Sequence, residues 1–323
     1  MSAPSSSAST TELARIVATG PVFPPAEEVL GEIAVAQEAS EASLLPLVRD
    51  AEALIARGNA TVSARLIDAA PALRVIGRTG VGVEQIDVDA ATRRGIPIVI
   101  APDAGAQAVA EGALALMLSL AKDLTALDRA VREGRWGARD EVDVWDIGGT
   151  TVGIVGLGRI GRRVAALVEA FGARVLAYDP YAGATDGTEL VELDTLFGES
   201  DYISLHAPLT AETRGLVDAR LLSLARGAVL VNLGRGGLIS SLDDLLAALE
   251  SGALCGVGLD VFDPEPPDPD HPLFRHPRVL LSPHALGLSR QARRQLFTEV
   301  AEGIAAVLRG DRPRAVANPE IYA

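Results

Sequence analysis

The 323-residue chain has a single cysteine, Cys255, so it cannot close an internal disulfide. No Cys/His grouping has the spacing of a zinc site, and no metal is expected. A reducing, cytoplasmic setting follows from that usage. Lysine is almost absent as well, with Lys122 the one lysine among 29 basic residues. Nearly every positive group is therefore a planar guanidinium fork suited to a carboxylate or a phosphate. Positive charge itself is scarce: 29 basic against 43 acidic residues leaves a net charge of −14. That balance argues against nucleic acid and anionic membrane surfaces as partners. A small acidic substrate stays open, because a substrate meets a local field rather than the net charge. Long apolar runs are missing too. The longest, Val109 to Ala121, carries Glu111 and falls short of the roughly 20 residues that cross a bilayer, so it reads as a buried helix. Residues 1–11 are Ser/Ala-rich without a basic stretch or an apolar core, and read as a short disordered tail rather than a signal peptide. No repeat recurs at periods of about 20 to 50 residues, which disfavours solenoids and propellers.

What is present is the composition of a globular protein, 48% hydrophobic and 22% charged. At roughly 100 to 200 residues per domain, two domains are expected. Short apolar strands alternate with helical patterns. Strands are predicted at 15–19, 51–56, 73–78, 98–101, 151–155, 174–178, 202–205, 228–232, 256–260 and 279–281. Helices are predicted at 106–122, 125–134, 160–171 and 242–251, and a long one over 289–310, apolar at Leu296, Val300, Ile304 and Val307. Such alternation predicts parallel sheets with helices on both faces, an α/β fold.

The strongest local signal is TVGIVGLGRIGRRVAALVEAFGARVLAYD at 151–179. An apolar strand runs into Gly156, Gly158 and Gly161, spaced Gly-x-Gly-x-x-Gly, and a helix pattern opens at once. The first glycine permits a tight turn, the second lets backbone approach a pyrophosphate, and the third lets helix and strand pack. The helix N-terminus adds N–H donors and a positive dipole. Three glycines alone are weak evidence, but the flanking strand and helix strengthen them. A second strand ends in Asp179, whose carboxylate accepts hydrogen bonds from ribose hydroxyls and repels a 2′-phosphate. With Pro180 and Tyr181 following instead of arginine, the expected cofactor is NAD rather than NADP.

Three polar residues lie on loops after later strands: Arg235 in NLGRGGLI, Glu265 in DVFDPEPP and His284 in SPHALG. These loops resemble those of the D-isomer-specific 2-hydroxyacid dehydrogenases, whose reaction, reducing a 2-oxo acid by hydride, needs a proton donor at the carbonyl oxygen, a cation on the carboxylate and an oriented nicotinamide. His284 is the natural donor, since imidazole titrates near neutral pH, and Glu265 is a carboxylate that could stabilise its charged form. Arg235 suits the bidentate grip on the carboxylate. The blander readings are a surface histidine, a solvated charge in an acidic proline-rich loop and a salt-bridge arginine. His206, His271 and His276 read as packing or surface histidines.

The ordered set, with RTGVGVEQIDVDAATRRGI at 78–96, VAEGALALML at 109–118 and LHAPLTAETRGLV at 205–217, resembles the D-isomer-specific 2-hydroxyacid dehydrogenase family over about residues 50–310. Within it the motifs are most similar to the phosphoglycerate dehydrogenase type. The resemblance implies two doubly wound parallel-sheet domains, a Rossmann NAD-binding domain inserted into a smaller flavodoxin-like substrate domain. The expected bounds are 12–102 with 289–323 for the substrate domain and 103–288 for the NAD-binding domain. It implies catalytic roles for Arg235, Glu265 and His284, and cofactor contacts from Arg159, Ile160, His206, Pro208, Thr213 and Asp260 besides Gly156, Gly158, Gly161 and Asp179. Val81 and Gly82 match the turn that supplies a second grip on the substrate carboxylate.

Arg57 and Arg78, at strand ends of the first region, resemble the phosphate-binding arginines of the phosphoglycerate enzymes, which makes 3-phosphoglycerate or a related phosphorylated or phosphonate acid the leading substrate. In a chain this rich in arginine, both could equally be surface residues. A glyoxylate or hydroxypyruvate reductase and an NAD-sensing, corepressor-like binding protein are the alternatives. The intact trio argues against a pure binder. The family's pattern is broken at Gly105 and Ala106, where Asn followed by Ser or Thr is frequent, and at Leu286, where glycine is common, so the pocket is expected to be reshaped. No regulatory amino-acid-binding domain is expected after Ala323. The resemblance implies a homodimer.

Overall fold

The computed structural model of the chain describes residues 15–58, 60–80, 82–183 and 187–323. The tail expected at 1–11 lies outside them. The chain divides into two compact units, one formed by residues up to Ala104 together with Arg290–Ala323, the other by Gly105–Ser289.

In the first unit five strands, β1 (Ile16–Ala18), β2 (Ile33–Val35), β3 (Ala53–Ala56), β4 (Val75–Arg78) and β5 (Ile98–Val99), form one sheet in the order β2-β1-β3-β4-β5. All pairs are parallel. That is the flavodoxin-like order, with its reversal between β1 and β3. The central runs IVA and ALIA are buried throughout, as parallel strands covered on both faces must be. Leu54, Ile76 and Ile98 meet Leu44, Leu66 and Ile67 on one face. Ile55, Val75 and Val99 meet Phe297, Val300 and Ile304 of the helix Arg290–Arg309 on the other. That helix lies close to the sheet because Gly77 lacks a Cβ, which would sit 2.5 Å from Ile304 Cδ1.

Among its described residues the second unit holds seven parallel strands: β6 (Thr151–Val155), β7 (Arg174–Tyr178), β8 (Thr188–Leu190), β9 (Tyr202–Leu205), β10 (Ala228–Asn232), β11 (Leu254–Leu259) and β12 (Val279–Leu281). Their order is β12-β11-β10-β9-β6-β7-β8, the doubly wound arrangement with its reversal between β6 and β9. Helices Ala106–Ala121 and Arg159–Ala170 pack on one face through Ala110, Ala113, Met117, Val164 and Val168. Leu196, Phe197, Leu221, Leu222, Leu245 and Leu249 cover the other. Two strands have no counterpart in the sequence-based prediction, β2 and β8. Both are three-residue sheet edges with exposed positions, β2 the apolar run IAV and β8 the more polar TEL. Among the described residues no helix is long and apolar enough to cross a membrane, and no group of His, Cys, Asp or Glu could hold a metal ion.

Candidate active site

At the carboxyl end of β6 the chain turns at Gly156 with φ +95°, a conformation L side chains rarely adopt. Space forbids a side chain there as well, since a Cβ would lie 2.5 Å from Ala207 N. A Cβ on Gly161 would lie 2.0 Å from Gly156 O, so helix Arg159–Ala170 can start hard against the strand only with glycine. Above Gly158 there is open space, with nothing within 4 Å of a built Cβ, and no side chain caps the helix. Exposed N–H groups at a helix N-terminus over an open glycine cradle fit a pyrophosphate. Arg159 and Ile160 form the first turn of that helix. Asp179, one residue past β7, accepts hydrogen bonds from Leu157 N (2.8 Å) and Tyr181 N (2.9 Å). Its carboxylate is therefore tied to the glycine loop, where a ribose would sit beside the pyrophosphate.

The segment after β9 is held by its own side chains. Thr213 Oγ1 donates to Pro208 O (2.6 Å) and accepts from Thr210 N (2.8 Å). His206 Nε2 lies 2.7 Å from Ser204 Oγ, while its buried Nδ1 has no partner. Burial pushes this imidazole down to about 4, so it is neutral at physiological pH. A group that stays neutral is a poor acid for chemistry at neutral pH. The part of His206 that touches the glycine loop is its backbone, whose carbonyl carbon lies 2.8 Å from a Cβ built on Gly156.

The three loops after β10, β11 and β12 come together at the same sheet edge. Asn232, buried at the end of β10, donates to Arg235 O (2.9 Å) and accepts from Gly234 N (3.0 Å). Gly236 lets this loop pack on the next one, since a Cβ there would strike the Phe262 carbonyl carbon at 2.0 Å. Asp260, 2% exposed, accepts from Ala285 N (2.9 Å) and Leu286 N (3.3 Å), so its carboxylate shapes the His284 loop directly. Glu265 accepts from Phe262 N (3.1 Å). His284 Nδ1 lies 3.1 and 3.0 Å from the two Glu265 carboxylate oxygens. His284 has φ +53°, and its N–H bonds back to Ser282 O (3.0 Å). With Nδ1 on the carboxylate, Nε2 is the ring nitrogen left to meet another molecule.

In the first unit, Arg57 follows β3 and Arg78 ends β4. Arg78 donates from Nε to Gly82 O (2.8 Å) and from Nη1 to Gly58 O (2.9 Å), bracing the turn that contains Gly82. The Arg57 guanidinium instead stacks over Phe297 and Phe23, 5.0 and 5.6 Å from the ring centroids. The two arginines, expected to act as a pair, are thus employed differently. Val81 lies outside the described residues.

Residues 114–285 match the family model for the NAD-binding domain of D-isomer-specific 2-hydroxyacid dehydrogenases. The chain belongs to that family. It is 42% identical over 273 residues to the D-3-phosphoglycerate dehydrogenase of Mycobacterium tuberculosis, a match covering 83% of this chain and 51% of that one. The chain thus spans about half the length of such relatives. It is 38% identical over 290 residues to the glyoxylate reductase of Korarchaeum cryptofilum, with 87% of each covered. The structure of an NADPH-dependent glyoxylate/hydroxypyruvate reductase from Sinorhizobium meliloti, in complex with citrate, superposes with a TM-score of 0.85 at 30% identity. That match covers 94% of this chain and 97% of that one.

The departures from the family pattern have a structural account in this member. Leu286 fits because Gly112, facing it from helix Ala106–Ala121, has no side chain: a Cβ there would sit 2.7 Å from Leu286 Cβ. Gly105 is the N-cap of that helix and offers no side-chain cap. Along the sequence Asn232, Gly236 and Gly112 are only letters within motifs. Their packing and hydrogen-bonding partners lie in other loops, which nothing along the chain discloses.

Proposed function

We propose that this dehydrogenase-family member is an NAD-dependent oxidoreductase interconverting a D-2-hydroxy acid and its 2-oxo acid, with 3-phosphoglycerate or a related phosphorylated or phosphonate acid as substrate. The observation that carries the proposal is the His284–Glu265 pair, an imidazole held by a carboxylate through Nδ1 on the loop edge that also bears Arg235. Gly156, Gly158, Gly161, the first turn of helix Arg159–Ala170 and Asp179 would hold the cofactor, with Pro208, Thr213 and Asp260 on adjoining loops. Bound NAD supplies the hydride acceptor, and NADH the donor. Arg235 grips the substrate carboxylate and polarises the adjacent carbonyl. During reduction His284 Nε2 delivers a proton to the carbonyl oxygen, and during oxidation it removes one from the hydroxyl. Glu265 keeps Nδ1 protonated throughout and so fixes which nitrogen does the exchange. Asp179, already hydrogen-bonded to the glycine loop, favours NAD over NADP by repelling a 2′-phosphate.

The phosphate preference rests on Arg57 and on the likeness to phosphoglycerate dehydrogenases. The glyoxylate reductase likeness, which extends over most of both chains, favours a second reading, reduction of glyoxylate or hydroxypyruvate. We further take the protein to be a cytoplasmic homodimer. The segment 124–144 leaves Leu124, Val131 and Trp136 more than half exposed, which supports a subunit contact there. The test is NADH oxidation with a panel of 2-oxo acids. Turnover of 3-phosphohydroxypyruvate at lower KM than glyoxylate and hydroxypyruvate is expected, whereas turnover of the latter two alone removes the phosphate reading.

A further inference from the structure

The carboxyl edge of the first unit's sheet, at the reversal between β1 and β3, is where open α/β sheets bind ligands. Arg57 stands there, its N–H donated to Thr19 Oγ1 (2.9 Å) just past β1. Its guanidinium is not alone. Arg293, from the helix Arg290–Arg309, lies 5.3 Å from the centroid of Phe23, the ring that also carries Arg57. Phe23 and Phe297 are themselves in contact, with centroids 5.1 Å apart. Two cations from distant parts of the chain thus share one aromatic wall.

Among the described residues neither arginine has a carboxylate within ion-pair reach, in a protein where acidic residues outnumber basic ones by 43 to 29. Arg15 and Arg65 each find one, and Arg174 finds two. Arg57 Nε is buried without any hydrogen-bond partner. Burial and then the charge of Arg293 hold the Arg57 guanidinium below its ordinary pKa, an environment that an anion would relieve. The rings lie against both guanidinium groups, and among the described residues no hydrogen bond uses a guanidinium N–H of either arginine. Arg78, by contrast, spends two donors on Gly58 and Gly82 backbone carbonyls.

We infer that Arg57 and Arg293, walled by Phe23 and Phe297, form a two-arginine clamp for a dianionic tetrahedral group, a phosphate or phosphonate at the substrate's far end. Arg293 is thereby a specificity-determining residue. Two forks can offer several N–H donors around a tetrahedral dianion, and the bound charge relieves the repulsion between them. This rests on the phosphate reading above and adds the second arginine to it.

Two measurements test the clamp. Arg293→Gln is expected to lower the kcat/KM preference for 3-phosphohydroxypyruvate over hydroxypyruvate by about tenfold or more, mainly through KM, with Arg293→Lys recovering part of it. A preference unchanged by Arg293→Gln but lowered by Arg57→Gln removes Arg293 from the clamp and leaves the phosphate reading standing. If the wild type has no preference for the phosphorylated acid, that reading fails by itself, and the clamp is judged on binding. With NADH saturating the cofactor loop, inorganic phosphate should raise the Tm of the wild type and not that of Arg293→Gln. Equal shifts in both would overturn the clamp.

Discussion

Replacing Glu265 by glutamine keeps the shape of the side chain and removes its charge. In the wild type both carboxylate oxygens lie 3.0 to 3.1 Å from His284 Nδ1, and Oε1 also accepts from Phe262 N. A glutamine can keep the Phe262 bond with its carbonyl oxygen, but it then turns its NH2 toward Nδ1. The imidazole must respond by accepting at Nδ1 and carrying its proton on Nε2. The cycle in which Nδ1–H stays donated while Nε2 exchanges the substrate proton is broken. Losing one charge-assisted hydrogen bond costs about 1.5 to 3 kcal/mol, which at 1.4 kcal/mol per tenfold is roughly a 10- to 150-fold loss in kcat/KM. Mispositioning of a general acid–base can raise the loss to about 10⁴-fold. Because the overall equilibrium is fixed, the loss must appear in both directions. The assay is nicotinamide absorbance with an oxo acid and NADH, then with the hydroxy acid and NAD. Rates within about threefold of wild type would refute the reasoning that Glu265 works through His284.

Further outcomes follow from the packing. Gly161→Ala places a Cβ 2.0 Å from Gly156 O, so the glycine loop must open. A Tm drop and a rise of about tenfold or more in the NADH Kd by fluorescence titration are expected, from overpacking of roughly 1–3 kcal/mol. Gly112→Ala is expected to cost a similar amount through its contact with Leu286, and that cost should vanish in a Leu286→Gly background, read as a double-mutant cycle in urea. His206 binds a proton far less readily folded, at about 4, than unfolded, near 6.5. Its burial therefore carries almost no protonation penalty above about pH 6.5, and stability falls as pH drops from there toward 4. Between pH 6.5 and 5 the loss is up to about 2 kcal/mol by urea unfolding, and His206→Asn should flatten that slope.

The parts of this protein that a sequence discloses are those whose signal is local. The strand–glycine–helix unit at 151–171 is legible because the Gly156 turn and the close approaches of Gly156 and Gly161 each demand a residue with no side chain, and the apolar period changes on either side. The two doubly wound sheets follow from buried apolar runs such as those of β3, β6 and β10. What escapes is pairing between distant segments. Arg57 and Arg78 look alike along the chain, since both end strands, yet Arg78 is used up in bracing two turns. The partner that lies near Arg57 is Arg293, on a helix read only for its apolar stripe at Leu296, Val300, Ile304 and Val307. Asp260 was tied to the cofactor by family likeness, and its hydrogen bonds to Ala285 N and Leu286 N, which shape the His284 loop, emerge only in three dimensions. Of the two unpredicted edge strands, β8 (TEL) offers no apolar run to read, whereas β2 (IAV) does, over only three residues.

The most direct test of the account is a side-by-side comparison of wild type and His284→Gln for NADH-dependent reduction of a 2-oxo acid that the wild type turns over, with NADH binding titrated in both. A fall in kcat/KM of about 10²- to 10⁴-fold with the NADH affinity retained is the expected result. Full activity in the variant would contradict it.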